Sequence, residues 1–200
     1  MIKSGTDHAT NVGSYSCVIG INDPSSYNWT DGSNSDITIN WNISKVSLAI
    51  PSQKNIPTYD GNTKTPEWNN YDSSKINISV TPTANAGAYS ATFTVKDTTN
   101  YQFTNGNTTA NVSWVINRAT TAIPLQTNVP TYDGNAKTPE WNNYDSSKMS
   151  VSVTPQTNAG SYSATFTINS NYLFADGSTT KNVSWAINKA SAQLSVSPST

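Results

Sequence analysis

A block of sequence that returns almost unchanged limits this chain more than anything else in it. Pro57-Thr-Tyr-Asp-Gly-Asn-Thr-Lys-Thr-Pro-Glu-Trp-Asn-Asn-Tyr-Asp-Ser-Ser-Lys75 comes back as Pro130 to Lys148, so that Tyr59 is matched by Tyr132, 73 positions on. Self-similarity at a fixed spacing of this size marks a unit of supersecondary structure that has been copied along the chain. The offset shortens to 71 between Tyr101 and Tyr172, because Lys96-Asp-Thr-Thr-Asn100 is matched only by Asn169-Ser-Asn171. Losing two residues costs little closure entropy in a surface loop, so this stretch is expected to lie between strands.

A second motif occurs three times. Asn85-Ala-Gly-Ala-Tyr-Ser-Ala-Thr-Phe-Thr-Val95 recurs as Asn158-Ala-Gly-Ser-Tyr-Ser-Ala-Thr-Phe-Thr-Ile168, and more divergently as Asn11-Val-Gly-Ser-Tyr-Ser-Cys-Val-Ile-Gly-Ile21. From Tyr89 on, every second residue is apolar or small, which is the period of a strand with one buried face. Ser90, Thr92 and Thr94 are expected to face water. Cys17 stands in register with Ala91 and Ala164, and the simplest account of it is a small buried residue. As the only cysteine in the chain it can form no internal disulfide, and the only histidine, His8, sits in an irregular segment.

The remaining strands follow from alternation and turn signals. Ile76-Asn-Ile-Ser-Val80 alternates, as do Met149, Val151 and Val153, and Pro66-Glu-Trp68 opens a short strand. Tyr59-Asp-Gly61 and Asp72-Ser-Ser-Lys75 read as turns. Asn105-Gly106 stands between Tyr101-Gln-Phe103 and Val112-Ser-Trp114-Val-Ile116, with Asp31-Gly32 and Asp176-Gly177 at the equivalent places. This pattern predicts hairpins there. Trp41, Trp114 and Trp185 each sit between apolar residues two positions away, as core anchors do. No window has a helical period. Many short strands at close spacing predict an all-β chain of tandem sandwich repeats.

Matching the copies divides the chain into a partial repeat (residues 1–45), two full repeats (46–118 and 119–189), and the opening of a further repeat or a linker (190–200). The first block carries counterparts of Tyr89–Ile116 only, and nothing upstream matches the Tyr-Asp-Gly or Thr-Pro-Glu-Trp segments. The chain therefore reads as part of a longer array. The stretches joining one block to the next, Ile43–Pro51 and Ile116–Pro124, contain no glycine. One repeat is expected to pass almost directly into the next, as in a semi-rigid rod.

Composition narrows the chemistry. Charged residues make up 12%, about half the usual share, with Lys+Arg 11 against Asp+Glu 12. No field is available to hold a polyanion, so no nucleic-acid partner is expected. No apolar run is long enough for membrane insertion, and the N-terminal residues have no signal-peptide core. There is no phosphate loop, Cys/His cluster or nucleophile elbow, so neither catalytic residues, a cofactor nor a metal is expected. Asp60, Glu67 and Asp72 recur with the repeat, but turn chemistry explains them more simply than a bound Ca²⁺. The candidate ligand-binding residues are Trp68, Asn70 and Tyr71, with their copies Trp141, Asn143 and Tyr144. An aromatic ring beside amides is what a sugar site uses. Packing of the same rings onto the core or a neighbouring repeat is the simpler account.

These motifs have a family resemblance. Tyr-Asp-Gly-x-x-Lys-Thr-Pro at Tyr59–Pro66 and Tyr132–Pro139 is followed by Asn-Ala-Gly-x-Tyr-x-Ala-Thr-Phe at Asn85–Phe93 and Asn158–Phe166. Asn100-Tyr101 and Asn171-Tyr172 come next, then strands ending at Ile116–Ala119 and Ile187–Ala190. Over residues 11 to 190 the chain resembles the bacterial immunoglobulin-like (Big-type) repeats, found in tandem in surface proteins of Gram-positive bacteria and in phage virion proteins. The Asn-x-Gly-x-Tyr start resembles the tyrosine corner of immunoglobulin-like sandwiches. The resemblance implies tandem immunoglobulin-like β-sandwich repeats in an extracellular protein of a bacterial cell surface or phage virion. It implies a non-enzymatic spacer whose partners are neighbouring repeats of the same protein. The alternative it leaves is an adhesive module that binds host-surface glycan or protein.

Overall fold

The computed structural model describes residues 1–193. The described residues contain no helix, and the chain is all-β with several separate sheets. The expected opening of a further repeat extends past residue 193, and that part of it lies outside the described residues. Spatially the chain forms two compact units. One comprises Met1–Asn55, Pro66–Thr81 and Ser90–Trp114; the other comprises Ile56–Thr65, Pro82–Tyr89 and the described residues from Val115 on.

The first block has three strands, β1 (Ile2–Gly5), β2 (Gly13–Ile19) and β3 (Ile37–Ile43). The second block has seven: β4 (Val46–Leu48), β5 (Ser52–Gln53), β6 (Trp68–Asn69), β7 (Ile76–Ser79), β8 (Gly87–Val95), β9 (Tyr101–Phe103) and β10 (Thr109–Ile116). The third block repeats them with the same lengths: β11 (Ala119–Thr121), β12 (Leu125–Gln126), β13 (Trp141–Asn142), β14 (Met149–Ser152), β15 (Gly160–Ile168), β16 (Tyr172–Phe174) and β17 (Thr180–Ile187). In each block the Gly-x-Tyr strand lies in the middle of a three-stranded sheet, giving the orders β1-β2-β3, β7-β8-β10 and β14-β15-β17. Small two-stranded sheets complete the second and third blocks. β5 with β6 and β12 with β13 are antiparallel, whereas β4 with β9 and β11 with β16 are parallel.

Packing in the third block explains why the alternation is so strict. Met149, Ala164, Phe166, Ile168, Phe174, Trp185 and Ile187 are buried together, with Ile123, Trp141, Val151, Val153 and Tyr162 against them. β15 contributes Ala164, Phe166 and Ile168 from its alternate positions. Met149 lies opposite Ile168 and Val151 opposite Phe166, so the apolar faces of β14 and β15 coincide. Across the other edge Tyr162 is the register partner of Trp185, and their rings lie 5.0 Å apart. Such cross-strand aromatic pairs add to the area term. In the second block Ile76, Ala91, Phe93, Val95, Phe103 and Trp114 are buried at the corresponding positions. Thr92 and Thr94, expected to face water, are half-buried. The Thr92 hydroxyl donates to Asn111 Oδ1 at 2.8 Å, and Thr165 makes the same bond to Asn182. A polar link also joins the β12 segment to β17: the Gln126 amide donates to the Ala186 carbonyl and accepts from the Ala186 N–H.

Two expectations need correction. The Gly turns form as read, with Gly32, Gly106 and Gly177 all at φ near +82° to +83°. The strands on either side of Asn105-Gly106 do not make a hairpin, however. β9 pairs with β4 and β10 joins the sheet of β8, so the turn carries the chain from one sheet to another. A turn residue fixes local φ, but the longer ladder available to β10 decides which strand it pairs with. The second correction concerns the N-terminal residues. Ile2–Gly5 pairs with β2, Ile2 opposite Ile19 and Gly5 opposite Cys17, and so takes the place held in the other sheets by β7 and β14. Its sequence, Ile-Lys-Ser-Gly, does not resemble theirs, because an edge strand is held by backbone bonds as much as by side chains.

The first block is otherwise less complete. Tyr27-Asn-Trp29, matched in sequence to Tyr101-Gln-Phe103, forms no strand, and Tyr27 is exposed. Trp41 is half-buried and donates its indole N–H to the Thr6 carbonyl, while Ile37 and Ile39 are exposed. Trp185, by contrast, is 2% exposed, and its indole N–H has no acceptor among the described residues. Trp185→Ala is expected to cost about 3–5 kcal/mol. The check is its urea midpoint against that of Trp41→Ala, which should lose clearly less.

Candidate functional site

Each Gly-x-Tyr strand starts from the same closed corner. The Tyr15 hydroxyl donates to the Asn11 carbonyl at 2.7 Å, Tyr89 to Asn85 at 2.7 Å, and Tyr162 to Asn158 at 2.7 Å. The tyrosine ring folds back over the glycine two residues before it. A Cβ at Gly160 would lie 3.3 Å from the Tyr162 hydroxyl, and one at Gly13 would lie 3.1 Å from the Tyr15 ring. Any larger residue at this position would therefore crowd the tyrosine ring, which would have to shift.

The corner presents the next amide outward, and an asparagine side chain takes it. In one unit Val12 N–H donates to Asn100 Oδ1 at 2.8 Å, and Asn100 Nδ2 donates to Asn11 Oδ1 at 3.2 Å. In the other, Ala86 N–H donates to Asn171 Oδ1 at 2.9 Å, and Asn171 Nδ2 donates to Asn85 Oδ1 at 3.2 Å. The same asparagines use their backbone carbonyls as well, Asn100 accepting from Val46 N–H and Asn171 from Ala119 N–H. One residue therefore ties the corner of the preceding block to the parallel strand pair of its own. Sequence reasoning placed these asparagines in a recurring Asn-Tyr motif but saw no role for them. The signal lay in their recurrence together with Asn-x-Gly, at a distance along the chain that spacing rules do not cover.

The candidate ligand residues are brought together in two sets, each around one buried phenylalanine. Trp68 meets Phe93 edge-on at 4.9 Å, and Tyr71 leans on the same ring at 5.9 Å. Trp141 and Tyr144 repeat this on Phe166 at 4.9 and 5.9 Å. Asn70 and Asn143, both exposed, turn the chain between the two rings in the left-handed region, at φ +58° and +60°. Asparagine tolerates that region better than most residues. The Trp68 indole N–H is buried without an acceptor among the described residues. The arrangement works as a lid over the core phenylalanine.

The recurring carboxylates are occupied by turn donors. Asp60 accepts from the Asn62 amide and from Lys64; Asp133 does the same with Asn135 and Lys137. Glu67 lies beside Asn55 and Lys54. Asp145 takes the Ser147 hydroxyl and the Lys148 ammonium, which push its carboxyl down to about 2. The Lys181 ammonium and the Ser178 hydroxyl hold Asp176 down to about 2 as well, and Lys75 and Ser74 depress Asp72 in the same sense. Among the described residues no group of three or more His, Cys, Asp or Glu side chains could hold a metal ion.

No family model matches this chain, and no curated protein or solved structure is significantly similar to it.

Two outcomes follow from this geometry. Asn143→Gly should leave stability unchanged or raise it slightly, whereas Asn143→Val should lose about 1–3 kcal/mol to left-handed strain; thermal melts of the two variants decide it. Because Asp72, Asp145 and Asp176 have folded pKa values below their unfolded ones, the unfolded chain binds more protons in acid. Stability should be level from pH 7 to about 5, then fall as pH drops from about 4 to about 2. A urea series across that range tests it, and high salt should flatten the fall because the pairs are exposed.

Proposed function

We propose that the chain is an array of immunoglobulin-like β-sandwich modules with no catalytic activity of its own. More specifically, we read it as a spacer that extends or displays part of a larger extracellular protein, on a bacterial surface or a phage virion. The single observation that carries this reading is the repeated asparagine clasp. Asn100 and Asn171 each hold the tyrosine corner of the block before them while the chain passes directly into the next parallel strand. A linker that only joined independent domains would need no such bond, so the recurrence supports modules built to keep a set relation to their neighbours. The tyrosine-to-carbonyl bond in all three blocks supports the immunoglobulin-like class. The near balance of charge and the Asn-, Thr- and Ser-rich surface suit a segment whose work is extension.

The adhesive reading places ligand at Trp68, Asn70, Tyr71 and their copies. The lean of those rings on Phe93 and Phe166 favours a packing role instead. Pulling single molecules from both ends separates the two ideas. Matching unfolding steps of roughly 24 nm, the length of about 73 extended residues, are expected for an array of like modules. Steps of unrelated size would overturn the array. Glycan or cell-surface binding that disappears in Trp141→Ala, with the melting transition intact, would establish the adhesive role in place of the spacer.

A further inference from the structure

The junction just described is filled twice in this chain, and its third instance is open. In the filled seat of the Val115-containing unit, Tyr59, Asn85, Ala86 and the strand Ala119–Thr121 receive Asn171-Tyr172. The Ala86 N–H meets Asn171 Oδ1, and Ala119–Thr121 lies parallel to Tyr172–Phe174. The ring of Tyr59 meets that of Tyr172 edge-on at 5.3 Å. The seat in the other unit has the same asparagine bonds and the same parallel pair, Val46–Leu48 on Tyr101–Phe103. There Lys45 adds a bond to the Thr98 carbonyl.

Moved along by the repeat, the seat residues become Tyr132, Asn158, Ala159, Ala190, Ser191 and Ala192. All of these but Asn158, together with Lys189, line one open groove. Among the described residues, nothing takes up there the groups that the filled seats use. Tyr132 is 41% exposed, and no bond from the Ala159 N–H is found among the described residues. Residues 190–192 pair with no strand among the described residues. Asn158, the counterpart of Asn85, already carries the Tyr162 bond that closes the corner.

We propose that this groove is a docking seat for an Asn-Tyr dipeptide leading a short β-strand, presented by a further copy of the repeated block. The occupant is fixed by chemistry seen twice. A carboxamide offers an acceptor to the outward amide and a donor to the Asn158 carboxamide at once. A tyrosine ring then meets Tyr132, and three residues of extended backbone pair in parallel with 190–192. The chain's own Asn100-Tyr101 and Asn171-Tyr172 are already seated, so the occupant brings a third. Ser26-Tyr27 of a second molecule fits less well, because Ser26 has no carboxamide and residues 27–29 form no strand.

The inference rests on reading the chain as an array of like modules, and the test separates the two. Residues 1–193 are followed, in register, by a second copy of residues 123–189. Amide hydrogen exchange is then measured at Ala159 and at the added copy's own core strand. With the copy folded, exchange at Ala159 should slow at least about tenfold relative to the 200-residue chain. Asn171→Ala in the added copy alone should reverse that slowing while the copy's core amides stay protected. A folded copy with unchanged exchange at Ala159 would overturn the seat and leave the array reading standing. A copy whose core amides stay unprotected would overturn the array reading and the seat with it. Protection of Ala159 that rises with concentration in the unextended chain would make a second molecule the occupant and overturn the assignment to an added module.

Discussion

The bond from a tyrosine hydroxyl to a carbonyl four residues back is the constraint on which the rest depends. In all three blocks it closes the corner that starts the central strand, so it sets where the alternation begins. A one-residue slip there would send Ala164, Phe166 and Ile168 to the wrong face and leave Trp185 without its ring partner. The same closure also turns the Val12 and Ala86 amides outward, where the clasping asparagines take them. Local closure, core register and the tie between blocks thus share one short motif.

The clasp is inexpensive in sequence. A neutral hydrogen bond is worth about 0.5–1.5 kcal/mol net, and Asn171 makes one to Ala86 and one to Asn85 while its carbonyl serves Ala119. No charged side chain is buried among the described residues to achieve this. The chain can therefore keep the low charge seen in its composition and still tie the corner of one block to the strand pair of the next.

Much of the β-content was legible because a strand with one buried face has period two. The places where reading failed are those where pairing is decided far along the chain. Asn105-Gly106 predicts a turn, and the turn is there, but the destination of β10 is set by the ladder offered by β8 and not by the turn. Ile2–Gly5 carries no pattern, since an edge strand needs few side chains to be held. The rings of Trp68 and Trp141 were legible as aromatics beside amides, but their lean on Phe93 and Phe166 follows from the left-handed turn at Asn70 and Asn143. Propensity alone does not place that turn. The asparagine clasps were visible as letters and invisible as contacts.

The turn at Asn105-Gly106 also bears on how the molecule ages. An asparagine followed by glycine is the step most open to deamidation, because the unhindered glycine nitrogen can attack the side-chain amide, and this is the chain's one Asn-Gly step. Here the side-chain Oδ1 of Asn105 accepts the Asn107 N–H, a bond an aspartate makes equally well. The third block already has that product in place: Asp176 takes the Ser178 N–H across the same turn. Where the resulting succinimide opens to aspartate, the second block gains the turn that its neighbour uses from the outset, whereas opening to isoaspartate lengthens the backbone at that turn.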